Sequence, residues 1–172
     1  MIPGVSNRRR FGDLNEREIL ALAISSEEED RQIYQTFAEH LREEFPASAA
    51  VFDGMAEEEK DHRRRLVELY TKRFGAVILP IRRQDIAGYY SRRPVWLVEN
   101  LGLERIRAEA EIMEADARDF YLAAAKRAED PSVRALLASL AEAEGEHLGR
   151  AGALVDEKLT PEAREAEDAV AH

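Results

Sequence analysis

The chain of 172 residues contains no cysteine. That absence excludes disulfide bonds, thiol catalysis and every metal or iron–sulfur site built on thiolates, and it fits a reducing compartment. Long apolar runs are also missing, since GAVILPI at residues 75–81 is far shorter than a bilayer-spanning helix. The basic start, MIPGVSNRRRFGDLNE, has no apolar stretch after it and does not resemble a secretory signal. We therefore expect a soluble chain.

Basic charge is scarce as well. The sequence has 25 Lys and Arg against 35 Asp and Glu, which gives a net charge of −10. An acidic chain is a poor general ligand for nucleic acid, so we expect no nucleic-acid partner. Its charge attracts cations, although a solvated acidic surface is the commoner interpretation. With nine Gly and six Pro, and with 45% apolar and 35% charged residues, the composition favours amphipathic helices in one domain with a sizeable core.

Hydrophobic periodicity predicts four long helices, over residues 15–45, 47–74, 103–128 and 131–157. Asp13 or Asn15 is suited to cap the first helix, and Pro46 stops it. Gly75 is expected to end the second helix, and Pro131 suits the first turn of the fourth. We divide the chain into a four-helix domain over residues 1–158 and a charged tail or linker over 159–172.

The connections between the predicted helices indicate how they are arranged. Short turns join the first helix to the second and the third to the fourth, whereas a long crossover at about residues 75–101 links the two pairs. We therefore predict an all-α fold, a ferritin-like four-helix bundle made of two helical hairpins. The alternatives are a generic bundle or a helical repeat protein, although two hairpins are too few for a solenoid. A long crossover also permits hairpin exchange between two chains, so a homodimer is expected.

Acidic residues interrupt the apolar stripe of every predicted helix, and two helices add a histidine three residues later. The interrupting residues are Glu27, Glu59 with His62, Glu114, and Glu144 with His147, and Glu111 lies one turn before Glu114. The spacing of three places both side chains on one helical face, close enough to bind one ion. Burial without partners costs several kcal/mol for each group, and a pair of divalent cations removes that cost. This mixture of oxygen and nitrogen ligands suits iron or manganese, with zinc as a substitute.

An internal repeat relates the two halves of the chain. Glu27, Arg31 and Tyr34 recur 87 residues later as Glu114, Arg118 and Tyr121, and Glu59 and His62 recur 85 residues later as Glu144 and His147. We expect Arg31 and Arg118 to be ordinary i, i+4 partners of the glutamates or to support the ligands. Tyr34 and Tyr121 are core aromatics or hydrogen-bond partners of the ligands. His40, His172, Glu28, Glu29, Glu57 and Glu58 are expected at the surface.

These motifs resemble the rubrerythrin branch of the ferritin-like di-iron proteins over about residues 15–74 and 103–157. The resemblance rests on Glu27-x3-Arg31-x2-Tyr34, Glu59-Lys-Asp-His62, Glu111-x2-Glu114 and Glu144-Gly-Glu-His147. It implies two iron ions, with Glu27, Glu59, Glu114 and Glu144 as the central carboxylates. By the same match His62 and His147 are terminal ligands, and Glu111 is an additional carboxylate.

One departure from that family concerns the electron donor. Rubrerythrins proper carry a rubredoxin domain whose iron is held by four cysteines, and this chain has none. The sequence is more similar to the amino-terminal domain of membrane-bound ferritins, which precedes a membrane domain of the vacuolar iron transporter type. That resemblance implies a cytoplasmic domain that reaches a membrane only through a transporter domain absent from this chain.

The main functional hypothesis is a ferroxidase, which binds Fe(II) and oxidises it with oxygen or hydrogen peroxide. One alternative is a non-catalytic module that binds or senses iron or directs assembly. Another is a rubrerythrin-like peroxidase, or an oxygenase, that uses an external reductant. The remaining alternative is a metal-free bundle, whose stability a chelator would leave unchanged.

Overall fold

The computed structural model describes residues 9–87 and 102–147. Four helices dominate these residues, namely α1 Glu16–Leu41, α2 Pro46–Phe74, α3 Leu103–Arg127 and α4 Pro131–His147. Two short strands, β1 Arg9–Arg10 and β2 Ile86–Ala87, pair in parallel with Arg9 opposite Ile86. The prediction of an all-α, ferritin-like four-helix bundle is confirmed. The predicted tail, the second half of the crossover and the predicted end of the fourth helix at residue 157 lie outside the described residues.

The start of α1 is fixed by a reciprocal cap. The side chain of Asn15 accepts a hydrogen bond from the Glu18 amide at 2.9 Å, and Glu18 Oε1 accepts one from the Asn15 amide at 3.1 Å. Two backbone donors that a helix start leaves unpaired are satisfied in this way. Of the two caps that the sequence offered, Asn15 is the one used, and Asp13 lies in a 3-10 turn before it.

The end of α1 differs from the prediction, which placed it at Phe45. The helix ends at Leu41, and Phe45 has an extended φ of −132° with ψ of 63°. A residue before proline is disfavoured in the helical region, so the chain leaves the helix before Pro46. The Phe45 amide still donates to the Leu41 carbonyl at 2.7 Å, which keeps the turn between α1 and α2 tight. As predicted, Gly75 follows the end of α2 and Pro131 begins α4.

The core consists of two hydrophobic clusters at different levels of the bundle. The first joins the later part of α1 to the early parts of α2 and α3, and includes Phe37, Phe52 and Ile106. The second joins the early part of α1 to α4 and to the later parts of α2 and α3, and includes Leu20, Leu66, Tyr121 and Leu137. Apart from Glu18 in the first turn of α1, the buried charged residues of the four helices fall between the clusters along the sequence of each helix, or beyond the second cluster in α4. They form a polar layer inside an apolar core.

The first half of the crossover lies along α1 and α2. The Tyr70 hydroxyl donates to the Val77 carbonyl at 2.9 Å and accepts from the Leu79 amide at 3.2 Å. Farther along, the Ser25 hydroxyl donates to the Ile81 carbonyl at 2.6 Å. The segment therefore follows α1 toward the polar layer. Among residues 9–87 and 102–147, none of the helices has the length and apolar character needed to span a bilayer.

We expect Gly75→Ala to destabilise the protein by about 1–3 kcal/mol, because Gly75 has a φ of +90° that residues with a side chain rarely adopt. Gly54→Ala is the matched control, since Gly54 lies inside α2 and an added Cβ there meets no atom within 4 Å. That change should stabilise by up to about 1 kcal/mol. Urea unfolding of both variants measures the difference, and equal effects at the two sites would contradict the role assigned to Gly75.

Candidate metal centre

Four side chains of the polar layer converge on one point. They are Glu27 of α1, Glu59 and His62 of α2, and Glu144 of α4, and each offers a ligand atom within 4.8 Å of the others. The exposed fractions of these residues range only from 1% to 6%. The spacing of three residues in α2 places Glu59 and His62 on the same inward face, one turn apart.

His62 lies between carboxylates of the two hairpins. Its Nδ1 atom is 3.1 Å from Glu144 Oε1 on α4 and 3.7 Å from Glu27 Oε2 on α1. Burial by itself would lower the pKa of His62, but the adjacent Glu27 carboxylate outweighs that effect and the pKa is raised. The imidazole therefore lies against one carboxyl group of each hairpin.

Two tyrosine–glutamate hydrogen bonds also join the hairpins. The Tyr34 hydroxyl of α1 donates to Glu114 Oε1 of α3 at 2.8 Å, and the Tyr121 hydroxyl of α3 donates to Glu27 Oε1 of α1. Each bond is the image of the other under the sequence repeat, which exchanges the two helices. Burial raises the pKa of both hydroxyls well above the usual range, so each remains protonated as a donor.

The acidic groups of the layer repel one another. Burial raises the pKa of Glu59 well above its usual value, and the charges of Glu27 and Glu144 raise it further. Burial likewise raises the pKa of Glu144 to about 8, and Glu114, which lies beside it, offsets part of the rise. Without cations, the folded protein therefore retains protons that isolated carboxylic acids would release.

The donor atoms fit metal ions. Within the part of the chain that the structure describes, the buried atoms without a hydrogen-bond partner include Glu27 Oε2, His62 Nδ1 and both carboxylate oxygens of Glu144. Buried polar atoms are seldom left unpaired, and these atoms belong to one cluster. Several carboxylates with one imidazole form a set that suits iron or manganese and also accommodates zinc. The layer is therefore a candidate site for divalent cations.

The other predicted site residues have different placements. Glu114 is buried at 1% exposure beside this cluster, whereas Glu111, one turn earlier in α3, is exposed. His147 is the last residue of α4, and its side chain lies outside the described part of the structure. Glu111 and His147 remain predicted ligands.

The arginines of the repeat do not form the expected pairs with the glutamates four residues earlier. Arg31 is half-buried and pairs with Glu28 at 2.6 Å instead of Glu27, and Arg118 pairs with Asp119 at 3.3 Å. The reason is helical geometry, because Glu27 and Glu114 point into the layer while both arginines remain at its edge. Glu57 and Glu58 are exposed, as expected of surface charge.

Asp30 and Arg83 are among the buried charged residues that sequence reasoning missed. Asp30 has an exposed fraction of 3% and Arg83 one of 6%. The spacing of Asp30, three residues after Glu27 and four before Tyr34, was a usable signal, because it places Asp30 on the same stripe. Nothing in the neighbourhood of Arg83, between Arg82 and Gln84, marked it as buried.

Comparison with known proteins agrees with this arrangement. The profile of the rubrerythrin family, described as Rubrerythrin, matches residues 18–155, and this chain belongs to that family. A solved structure of a hypothetical protein from Pyrococcus furiosus is similar in fold, with 24% sequence identity and a TM-score of 0.65 over 85% of this chain and 91% of the other. A search of curated proteins found no match. The predicted resemblance to rubrerythrins is confirmed, whereas fusion to a transporter domain is not shown.

We expect the stability of the metal-free protein to fall as pH rises from about 4.5 to about 8. Glu144 has a folded pKa of about 8 against an ordinary value of 4.5, and the pKa values of Glu59 and His62 are also raised. The folded state then binds more protons than the unfolded state, so its advantage is present at low pH and is lost as these groups deprotonate. Thermal unfolding in the presence of a chelator measures the profile.

The double variant Glu59→Gln/Glu144→Gln is the control for this profile, because it removes two of the titrating groups. Its melting temperature should vary less between pH 5 and 8 than that of the unchanged protein. Manganese should stabilise the unchanged protein more at pH 8 than at pH 5, since cations replace the protons. A metal-free profile that rises with pH, or that is identical in the double variant, would contradict the account.

Proposed function

We propose that the chain binds a pair of Fe(II) ions at this centre and oxidises them with oxygen or hydrogen peroxide. One observation carries the proposal, namely that buried carboxylate and imidazole atoms of Glu27, Glu59, His62 and Glu144 meet within 4.8 Å, and that atoms of three of these residues have no hydrogen-bond partner in the described part of the chain. Membership of the rubrerythrin family supports iron as the metal, with manganese and zinc as substitutes. The proposed ligands are Glu27, Glu59, His62, Glu114 and Glu144, together with His147 and Glu111.

In this proposal iron is the substrate, and the bound pair supplies one electron from each ion. With hydrogen peroxide, two Fe(II) ions and two protons yield two Fe(III) ions and two water molecules. Anionic oxygen ligands favour the more highly charged product, since they stabilise Fe(III) more than Fe(II). The carboxylates of the layer thus provide a driving force for oxidation as well as a binding site.

The residues around the ligands orient them. Tyr121 binds Glu27 Oε1, so that Oε2 of the same carboxylate remains directed at the centre, 3.7 Å from His62 Nδ1. Tyr34 fixes Glu114 from the opposite hairpin in the corresponding way. Because the ligand positions are set before iron arrives, little reorganisation is needed on binding.

The hydrophobic clusters beside the layer have their own part in the proposed reaction. In α2, Phe52 precedes Glu59 and belongs to the first cluster, whereas Leu66 follows His62 and belongs to the second. Apolar walls exclude water and lower the local dielectric, which strengthens the attraction between carboxylates and cations. They also shield the reacting ions from other cellular reductants.

The cellular setting belongs to the proposal as well. The resemblance to membrane-bound ferritins supports a cytoplasmic domain of an iron-export protein, tethered to a membrane through a transporter domain. A homodimer, with or without exchanged hairpins, is proposed because of the long crossover. Oxidised iron would then pass from this domain to the transporter.

A second candidate function is iron sensing without turnover. It is favoured by the contacts between hairpins, because Tyr34–Glu114, Tyr121–Glu27 and His62–Glu144 all cross from one hairpin to the other. An ion bound at their meeting point would change how the hairpins pack, and an attached domain would detect that change. A peroxidase with an external reductant is the third candidate. It differs from a ferroxidase because the reductant returns its iron to Fe(II) after each turnover.

Elemental analysis tests the binding step, and two iron ions for each chain are expected. Glu59→Gln and His62→Ala should reduce the bound iron by at least about tenfold at limiting concentrations, because each removes a donor from a buried set. Glu57→Gln is the matched control, since it makes the same change two residues earlier on the exposed face. Equal iron content in the Glu57 and Glu59 variants would refute the proposed site.

Oxidation is tested by adding Fe(II) without oxygen, then oxygen or hydrogen peroxide, and recording the ferric absorption band. A ferroxidase should oxidise many Fe(II) equivalents per chain, whereas a sensor should stop at two or fewer. Repetition with a reductant identifies a peroxidase, which consumes peroxide continuously without further iron. A rate equal to that of iron in protein-free buffer would contradict both catalytic candidates.

A further inference from the structure

Arg83 of the crossover forms a buried ion pair with Asp30 of α1. Its Nη1 and Nη2 atoms donate to Asp30 Oδ1 and Oδ2 at 2.8 and 2.9 Å. The other donors of the guanidinium are directed at Ser26, with Nε 3.1 Å from its hydroxyl and Nη2 3.3 Å from its carbonyl oxygen. All three residues are buried. This is the two-pronged geometry in which arginine holds a carboxylate most firmly.

Asp30 lies on the face of α1 that lines the candidate centre. It follows Glu27 by three residues and precedes Tyr34 by four, so the three side chains share one stripe. The negative charge of Asp30 contributes to the raised pKa values of Glu59 and Glu144, which places it within electrostatic reach of both ligands. Asp30 is therefore a fifth acidic side chain of the polar layer.

The sequence repeat shows that this acid is particular to one hairpin. The repeat relates α1 to α3 by 87 residues, so that Glu27 corresponds to Glu114 and Tyr34 to Tyr121. The counterpart of Asp30 is Ala117, which has no charge. The additional carboxylate and the arginine that pairs with it thus break the symmetry of the layer on the side of α1.

A charge count explains why the acid requires a partner. The carboxylates of Glu27, Glu59, Glu114 and Glu144 carry four negative charges when ionised, which two divalent cations balance. Asp30 would add a fifth negative charge to this buried layer, and a buried charge without a partner is strongly destabilising. The guanidinium of Arg83 cancels it, so that the remaining charge of the buried layer matches that of the two ions.

We propose that Arg83 is a positioning residue, which holds the carboxylate of Asp30 out of the ligand set and cancels its charge. The inference rests on the proposed function, since it requires that the centre bind metal ions. The crossover is thereby part of the centre and not only a connection between hairpins. Arginine suits the task because its planar group engages both carboxylate oxygens and Ser26 at once, which a lysine ammonium does not reproduce.

The test uses cobalt(II) as a probe, because its visible spectrum reports the number and kind of ligands without redox chemistry. Arg83→Met is expected to change that spectrum and to alter the cobalt dissociation constant by about tenfold or more, since Asp30 is released toward the ions. The double variant Asp30→Asn/Arg83→Met should return both quantities to those of the unchanged protein, because no spare carboxylate remains.

Arg82→Met is the matched control. Arg82 is the neighbouring residue and pairs with Glu29 at 2.9 Å. Glu29 also lies 3.8 Å from Arg83, but Arg82 itself is exposed and makes no contact with Asp30 among those described. The change should leave the spectrum and the dissociation constant unaltered. Should Arg83→Met fail to fold, Arg83→Gln gives the same readout, since it preserves hydrogen-bonding capacity while removing the charge.

The outcomes separate a positioning role from a structural one. A lower melting temperature of the Arg83 variants, with unchanged cobalt spectrum and affinity, would mean that the pair only stabilises the fold, and it would overturn the inference. A double variant that keeps the altered spectrum would overturn it too. If neither the unchanged protein nor Arg82→Met binds cobalt, iron or manganese, the proposed function itself fails and the inference falls with it.

Discussion

Mutual repulsion among buried carboxylates governs both the stability and the chemistry of this four-helix bundle. Glu27, Glu59, Glu114 and Glu144 occupy a layer that apolar side chains would otherwise fill. Such a layer is tolerable only when protons, donors or cations offset its charge. The raised pKa values of Glu59 and Glu144 show protons in that role, and the tyrosine hydroxyls of Tyr34 and Tyr121 add directed donors. Divalent cations satisfy the same requirement with greater charge.

The same layer links folding to metal binding. The contacts that cross between hairpins within it include two tyrosine–glutamate bonds and the approach of His62 to Glu144. A cation bound there would take its ligands from α1, α2 and α4, so its binding energy would also stabilise the packing of one hairpin against the other. Both candidate functions, iron oxidation and iron sensing, are compatible with that coupling. They differ in whether the bound iron is turned over or stays in place.

Part of this structure could be predicted from local patterns, and the errors have identifiable causes. Asn15 and Gly75 were recognised because caps and helix ends depend on a few neighbouring residues. The end of α1 was placed too late because Pro46 directly disfavours a helical conformation only at Phe45, whereas the helix already ends at Leu41 and the chain turns between these residues. Asp30 was overlooked because the third and the fourth residue after Glu27 both lie near the same face of the helix, so either Asp30 or Arg31 could continue the stripe.

The sequence indicates that acids recur on one face of every helix, and imidazoles on two of them, because a spacing of three residues fixes a direction around the helical axis. It also determined the order of two hairpins and a crossover. The folded chain was needed to show that Glu27, Glu59, His62 and Glu144 meet within 4.8 Å, and that Arg83 reaches Asp30 across 53 residues of chain. Helical periodicity carries no information about the path of the crossover, and a contact between distant residues depends on that path.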